Sequence, residues 1–232
     1  MNQFKSAWQF ALLHWQFLAV MAFPVCLFEI ITAYYMTDLS LLMEGGNPDD
    51  IAIYFELNAL PLTFLSFISI ILSISFLGGV FVAFNTLQEG QAIKPYDALF
   101  QGFKKFFPLL GAYIICTIVA VLGLFMLILP MFYLIGRLAL FPAYMMLEGK
   151  GVRESITSSW ESTDQHGTIL FLLTLGFTIL STASASLLLI ILPGSAGDPS
   201  ILQLGLTGVV EYIFVFPWMY VYFSLYKSLK SE

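Results

Sequence analysis

The sequence predicts an all-α polytopic membrane protein. Six transmembrane helices form three hairpins with cytoplasmic amphipathic interfacial helices, in a single integral membrane domain over residues 1–232. Three observations carry that expectation. First, 59% of the residues are apolar and only 10% are charged, where a soluble domain carries about 25% charged residues; mean hydropathy is +0.88. A chain of this size in water must leave much of its surface exposed and could not bury so much Phe, Leu and Ile. Second, the apolar residues fall into six runs near the length of about 20 residues that a hydrocarbon core of about 30 Å requires. Third, the basic residues collect in alternate connections, which gives the runs a direction.

The same composition excludes several classes. Intrinsic disorder needs low hydrophobicity, a disulfide scaffold needs dense cysteine, and nucleic-acid binding needs a basic surface. Here Asp+Glu outnumber Lys+Arg by 15 to 9. Cys26 and Cys116 lie inside apolar runs and read as small hydrophobes rather than a redox pair. His14 and His166 have no ligand-type neighbour at metal spacing, so no metal is expected.

The first span, about 10–36, follows a single charge, Lys5, and contains Pro24. No A-x-A site follows it, so it reads as a retained span rather than a signal peptide. The second, about 58–84, has Pro61 near its start; the third, about 107–129, has Pro108 there. The fourth, about 131–147, is the shortest and is set off only by Pro130, which predicts a tight hairpin. The fifth, about 167–193, stops at Pro193-Gly194, and the sixth runs over about 202–226. Pro24, Pro142 and Pro217 fall inside spans, where each frees a carbonyl and kinks a helix that its neighbours must re-satisfy. Shape is the simpler purpose of such kinks, and gating the alternative.

Orientation follows from eight of the nine bases. Lys5 precedes span one; Lys94, Lys104 and Lys105 lie between spans two and three; Lys150 and Arg153 lie between four and five; Lys227 and Lys230 follow six. The opposite connections hold no base, and the largest, 37–56, carries Asp38, Glu44, Asp49, Asp50 and Glu56. Both termini are therefore expected in the cytoplasm. Trp8, Trp160 and Tyr226 near the inner interface and Tyr34, Tyr35 and Tyr54 near the outer agree with that placement.

Short amphipathic stretches introduce the hairpins. Ile93, Tyr96, Phe100, Phe103 and Phe107 recur at helical spacing opposite Lys94, Asp97, Gln101 and Lys104. Val152, Ile156 and Trp160 recur every fourth residue, and Phe4, Trp8 and Leu12 behave similarly. Helices of this kind lie in the headgroup plane. Either they dock on lipid or a partner, or their apolar faces pack on the bundle. An echo, Glu89-Gly90-x-x-Ile93-Lys94 against Glu148-Gly149-x-x-Val152-Arg153, hints at an internal repeat.

Three charges fall within the spans. Counted from the outer ends of spans one, four and six, Glu29, Arg137 and Glu211 come to one depth, about 10–14 Å below the outer surface at 1.5 Å per residue. A charge in a span faces the bundle interior and pairs, so Arg137 is expected to bridge Glu29 and Glu211. Ser181, Ser184 and Ala185 belong to a small-residue patch that lets helices approach closely, and helix packing is its expected role. No G-x-S-x-G, H-E-x-x-H or Walker A motif is present, and no cofactor is indicated.

One segment resembles a known family. It reads Ile128-Leu129-Pro130-x-x-Tyr133-x-x-x-Arg137-Leu138-x-Leu140-x-Pro142-Ala143, then Leu147-Glu148-Gly149-Lys150-Gly151-Val152 and Ser158-Ser159-Trp160-x-Ser162-Thr163. The pattern is similar to the YciC family of bacterial inner-membrane proteins and, more distantly, to the membrane domain found with some glycerophosphodiester phosphodiesterases. It covers about 128–165 by motif and most of the chain by span pattern, with Met131 where the family usually has Gly. The resemblance implies a six-span inner-membrane protein in envelope or lipid homeostasis, and it brings no catalytic residue. The expectation is a non-enzymatic interaction or structural component in contact with membrane lipids, beside a larger envelope protein that moves lipid, and without nucleic acid. The alternative is a small solute transporter or channel, which should place polar groups along a path at the bilayer midplane.

Overall fold

The computed structural model describes residues 2–45, 47–126, 128–192 and 200–231. The Pro193-Gly194 stop lies outside them. Helices account for nearly all of the described residues, with no strand among them, and six helical stretches are long and apolar enough to cross a bilayer. The chain is an all-α multi-pass membrane protein.

Helix α1 (Asn2–Leu13) is separated from α2 (Trp15–Gly45) by a turn at His14. The first expected span is thus two helices, the second running past residue 36. Helix α3 (Pro48–Gln88) begins ten residues before the expected start of span two. Asn47 caps it, Pro48 occupies its first turn, and Asp49 and Asp50 complement its dipole. The acidic loop is therefore mostly helix. An apolar run marks where hydrocarbon begins, whereas a helix continues into water. Helices α4 (Pro95–Lys104), α5 (Phe106–Met126), α6 (Ile128–Leu138), α7 (Phe141–Leu147) and α8 (Val152–Ser162) follow. A short 3-10 turn, Asp164–His166, leads into α9 (Gly167–Ile191), and α10 spans Ile201–Ser231. Three hairpins, α2–α3, α5–α6 and α9–α10, form the frame.

Pro24, Pro61 and Pro217 sit inside continuous helices. Pro142 instead stands in the first turn of α7, so span four is two short helices joined at Ala139–Leu140.

The core lies at the end of the bundle that carries the termini and most bases, called the basic end below. There the Phe10 ring stacks on Tyr220 at 4.2 Å, and Phe84 meets both edge-on at 5.5 and 5.4 Å. At the opposite end Leu60, Phe64 and Phe67 of α3, Phe125 of α5 and Ile190 of α9 are exposed.

Two of the amphipathic stretches divide into a packing face and an exposed one. Helix α4 meets α3 not through its aromatics but through Ala98, Leu99 and Gly102. A Cβ on Gly102 would collide with the Ser75 carbonyl oxygen, and one on Gly79 would lie 2.5 Å from the Ala98 carbonyl oxygen. The two backbones are in contact, so Tyr96, Phe100, Phe103 and Phe107 point outward. On α8 the buried residues are Ser155 and Ser159; Val152 and Ile156 are half-buried and Trp160 is exposed. Ser159 bonds the neighbouring backbone there, while Val152 and Ile156 pack beside it on the cluster of Phe106, Leu109 and Phe141. The echo has a common conformation: Gly90 and Gly149 adopt left-handed φ of 71° and 72°, each ending a helix where a side chain would be strained.

Candidate functional site

Because α6 ends at Leu138, Arg137 lies in the last turn of a short helix near the basic end rather than at mid-span. Its Nε donates to Thr163 Oγ1 at 2.9 Å and its Nη1 to the Tyr133 hydroxyl at 2.9 Å. Nη2 donates to the Trp160 carbonyl at 2.6 Å and pairs with Asp164 at 3.0 Å. The guanidinium also lies over the Trp160 ring, 4.2 Å from its centroid, and only 3% of the side chain is exposed. Ser159 completes the joint: its hydroxyl donates to the Arg137 carbonyl and accepts from Leu140 N–H, two groups that the break between α6 and α7 leaves unpaired. Opposite, Gly136 brings α6 within contact of the Leu170 backbone of α9.

The expected bridge from Arg137 to Glu29 and Glu211 is not formed. The residues counted, 131 to 137, do lie in one helix, α6, but the break after Leu138 sets α8 and the 3-10 turn against the guanidinium, and they take up its donors. The motif residues Tyr133, Arg137, Leu140, Ser159, Trp160 and Thr163 come together instead.

Glu29 and Glu211 do share a level. Glu29 accepts from Ser73 of α3 at 3.0 Å and from the Tyr212 hydroxyl of α10 at 2.8 Å, binding three helices through one carboxylate. Glu211 lies within electrostatic reach of Glu29 and of Cys26, but its side chain is exposed and no base of the described residues pairs with it.

A third cluster, hidden from spacing arguments by its long sequence separations, ties the basic end. Glu148 accepts from Tyr226 at 2.9 Å and pairs with Lys230 at 2.8 Å and Lys150 at 3.1 Å. Lys227 pairs with Glu89 at 3.6 Å, so the two acids of the echo each engage the end of α10. Burial raises the Glu148 carboxyl, but hydrogen bonds from Lys230, Lys150 and Tyr226 outweigh it and hold the group below the usual carboxylate range.

Ser181, Ser184 and Ala185 are half-buried, and no residue from 181 to 186 is buried. Close packing on α9 falls nearer its start, at Gly167, Leu170, Thr174 and Phe177, where Thr174 also bonds the Tyr222 hydroxyl.

Between α3, α5, α6, α7 and α10 lies a half-open cleft of about 540 Å³. Leu77, Phe81, Tyr113, Thr117, Pro142 and Trp218 wall it, and its surface is almost wholly apolar. A second apolar groove, of about 430 Å³, lies between α1, α2 and α10. The fold and these clusters define a multi-pass helical membrane protein whose polar groups chiefly join helices. No family model, curated protein or solved structure matches the chain, so its function is read from its own residues.

Proposed function

We propose a non-enzymatic membrane protein of envelope or lipid homeostasis. It resides in the bacterial inner membrane with both termini in the cytoplasm, and it works beside a lipid-transport protein, as the resemblance of residues 128–165 to the YciC family implies. The cleft of about 540 Å³ carries the reading. Pockets of about 300–1,000 Å³ hold ligands of lipid or drug size, and an apolar wall suits an alkyl chain better than a hydrated solute. The intramembrane polar groups support it as well: Arg137 and Glu29 are engaged in joining helices and do not form a row along a path. The decisive experiment is purification in mild detergent followed by mass spectrometry of bound lipids and co-purifying proteins. Retained lipid together with a stoichiometric envelope protein is the expected result. Lipid-free, partner-free protein that moves a solute into liposomes would overturn it in favour of a transporter.

A further inference from the structure

Tyr113, Cys116, Thr117, Ala120 and Val121 recur at the spacing of one helical face, and that face of α5 is a wall of the cleft. Two of them carry hydroxyls. The Tyr113 ring is held edge-on against Phe141, 5.0 Å between centroids, and Thr117 follows one turn later on the same side of the helix. Neither hydroxyl has a hydrogen-bond partner among the described residues. The Trp218 N–H of the α10 wall is unpartnered too, but it is sealed within the packing, whereas the Tyr113 hydroxyl is open. Lys105 marks the basic interface eight residues before Tyr113, so the two hydroxyls lie about 12 and 18 Å along α5, inside a hydrocarbon core of about 30 Å. A polar group without a partner is costly there, and the cleft offers none of its own.

We propose that the cleft binds one uncharged long-chain carbonyl lipid, its carbonyl oxygen accepting from Tyr113 and Thr117 and its tail running along α5 to Val121. The proposal rests on the lipid reading above and names the class of lipid. Charge decides against other heads. No Lys, Arg, His, Asp or Glu lines the cleft, so an ammonium, phosphate or carboxylate would enter hydrocarbon unpaired, at a cost that a hydrogen bond does not return. A plain hydrocarbon leaves both hydroxyls bare. A ketone or ester oxygen has two lone pairs and no charge, so it accepts from both. Depth decides against the surrounding phospholipids, whose charged heads keep their ester groups at the interface. Length agrees: Tyr113 and Val121 are eight residues apart, or about 12 Å, the reach of a medium alkyl chain. A partner's helix, about 10–12 Å across with its side chains, overfills a cleft of about 540 Å³.

The test uses the full chain in nanodiscs of ether-linked phosphatidylglycerol, which has no ester carbonyl of its own. The probes are 2-tridecanone, tridecane and tridecanoate, with affinities counted per probe dissolved in the bilayer. 2-Tridecanone should saturate at one per chain and bind about tenfold more tightly than tridecane, a difference of about 1.4 kcal/mol. Its carbonyl stretch should be lowered in the wild-type complex, which tests the hydrogen bond without any substitution. Tyr113→Phe with Thr117→Val removes both hydroxyls and keeps the shape of the wall. That variant, eluting natively on size exclusion, should bind ketone and alkane alike by weakening the ketone alone, and the lowered stretch should vanish. Equal affinities in the wild type, or a lowered stretch that survives the double variant, overturn the carbonyl assignment and leave the lipid reading standing. Tighter binding of tridecanoate than of the ketone overturns the uncharged class. Absence of saturable binding by any probe overturns the cleft as the site. The lipid reading itself fails only on the separate result of solute movement by lipid-free protein.

Discussion

A guanidinium offers five N–H donors in a fixed plane, and Arg137 places four donor contacts on a hydroxyl, a phenol, a carbonyl and a carboxylate. Removing it takes the charged donor from the Trp160 carbonyl and the partner from the Tyr133 hydroxyl, while Thr163 keeps its bonds to backbone carbonyls, so Arg137→Leu should lower stability by about 1–3 kcal/mol, read as thermal unfolding in detergent. Asp164 is 77% exposed, and Asp164→Ala should cost about 1 kcal/mol or less. Adding Glu211→Arg to Arg137→Glu should restore nothing, because the two positions do not meet. Glu148 adds a pH dependence. Its lowered pKa stabilises the fold fully above 4.5, its ordinary value, and that contribution fades as pH falls below this through the lowered value. Glu148→Gln should flatten the acid limb of the Tm–pH profile. The importance of Arg137 was legible in the sequence because a base inside a span is rare. Its partners were not, since they depend on where a helix breaks.

Helix α4 has two contact faces of different kinds. Small residues let backbones approach, and bulky ones suit lipid, so spacing alone revealed the helix but not which side packs. Ala98 and Gly102 settle the matter against α3. Gly102→Val should therefore abolish recovery of folded protein, measured as monodisperse yield on size exclusion. Phe100→Ser with Phe103→Ser, both changed at exposed positions, should purify at the wild-type level. A normal yield for Gly102→Val would mean that the two helices do not touch. On α8 the apolar spacing marked Val152 and Ile156, which pack on the Phe106 and Leu109 cluster, but not the buried serines. Ser155 and Ser159 look polar, yet Ser159 is the residue that closes the α6–α7 break.

Across the whole molecule, six spans and their hairpin order could be read directly, because about 20 apolar residues in a row have few other uses. Helix ends were less legible: α2 and α3 extend well beyond the apolar runs, into regions where composition no longer reports on burial. The proposed orientation has its own check. In spheroplasts, a cysteine replacing Asp49 should react with an impermeant thiol reagent, and one replacing Lys104 should stay protected. Labelling at Lys104 alone would invert the topology.

The concentration of aromatic packing at one end has a mechanical consequence. Phe10, Phe84 and Tyr220 lock the helices where the termini meet, while Leu60, Phe125 and Ile190 at the other end touch surroundings rather than one another. The molecule is built like a set of tongs: at the tips each hairpin is tied within itself, Tyr54 to the Tyr35 carbonyl and Gln203 to the Leu189 carbonyl, so the surrounding acyl chains set the spacing between one hairpin and the next. Spin labels at Leu60 and Ile190 should report a separation that changes with bilayer thickness, while a pair at the exposed Gln101 and Arg153 of the basic end should report one that does not.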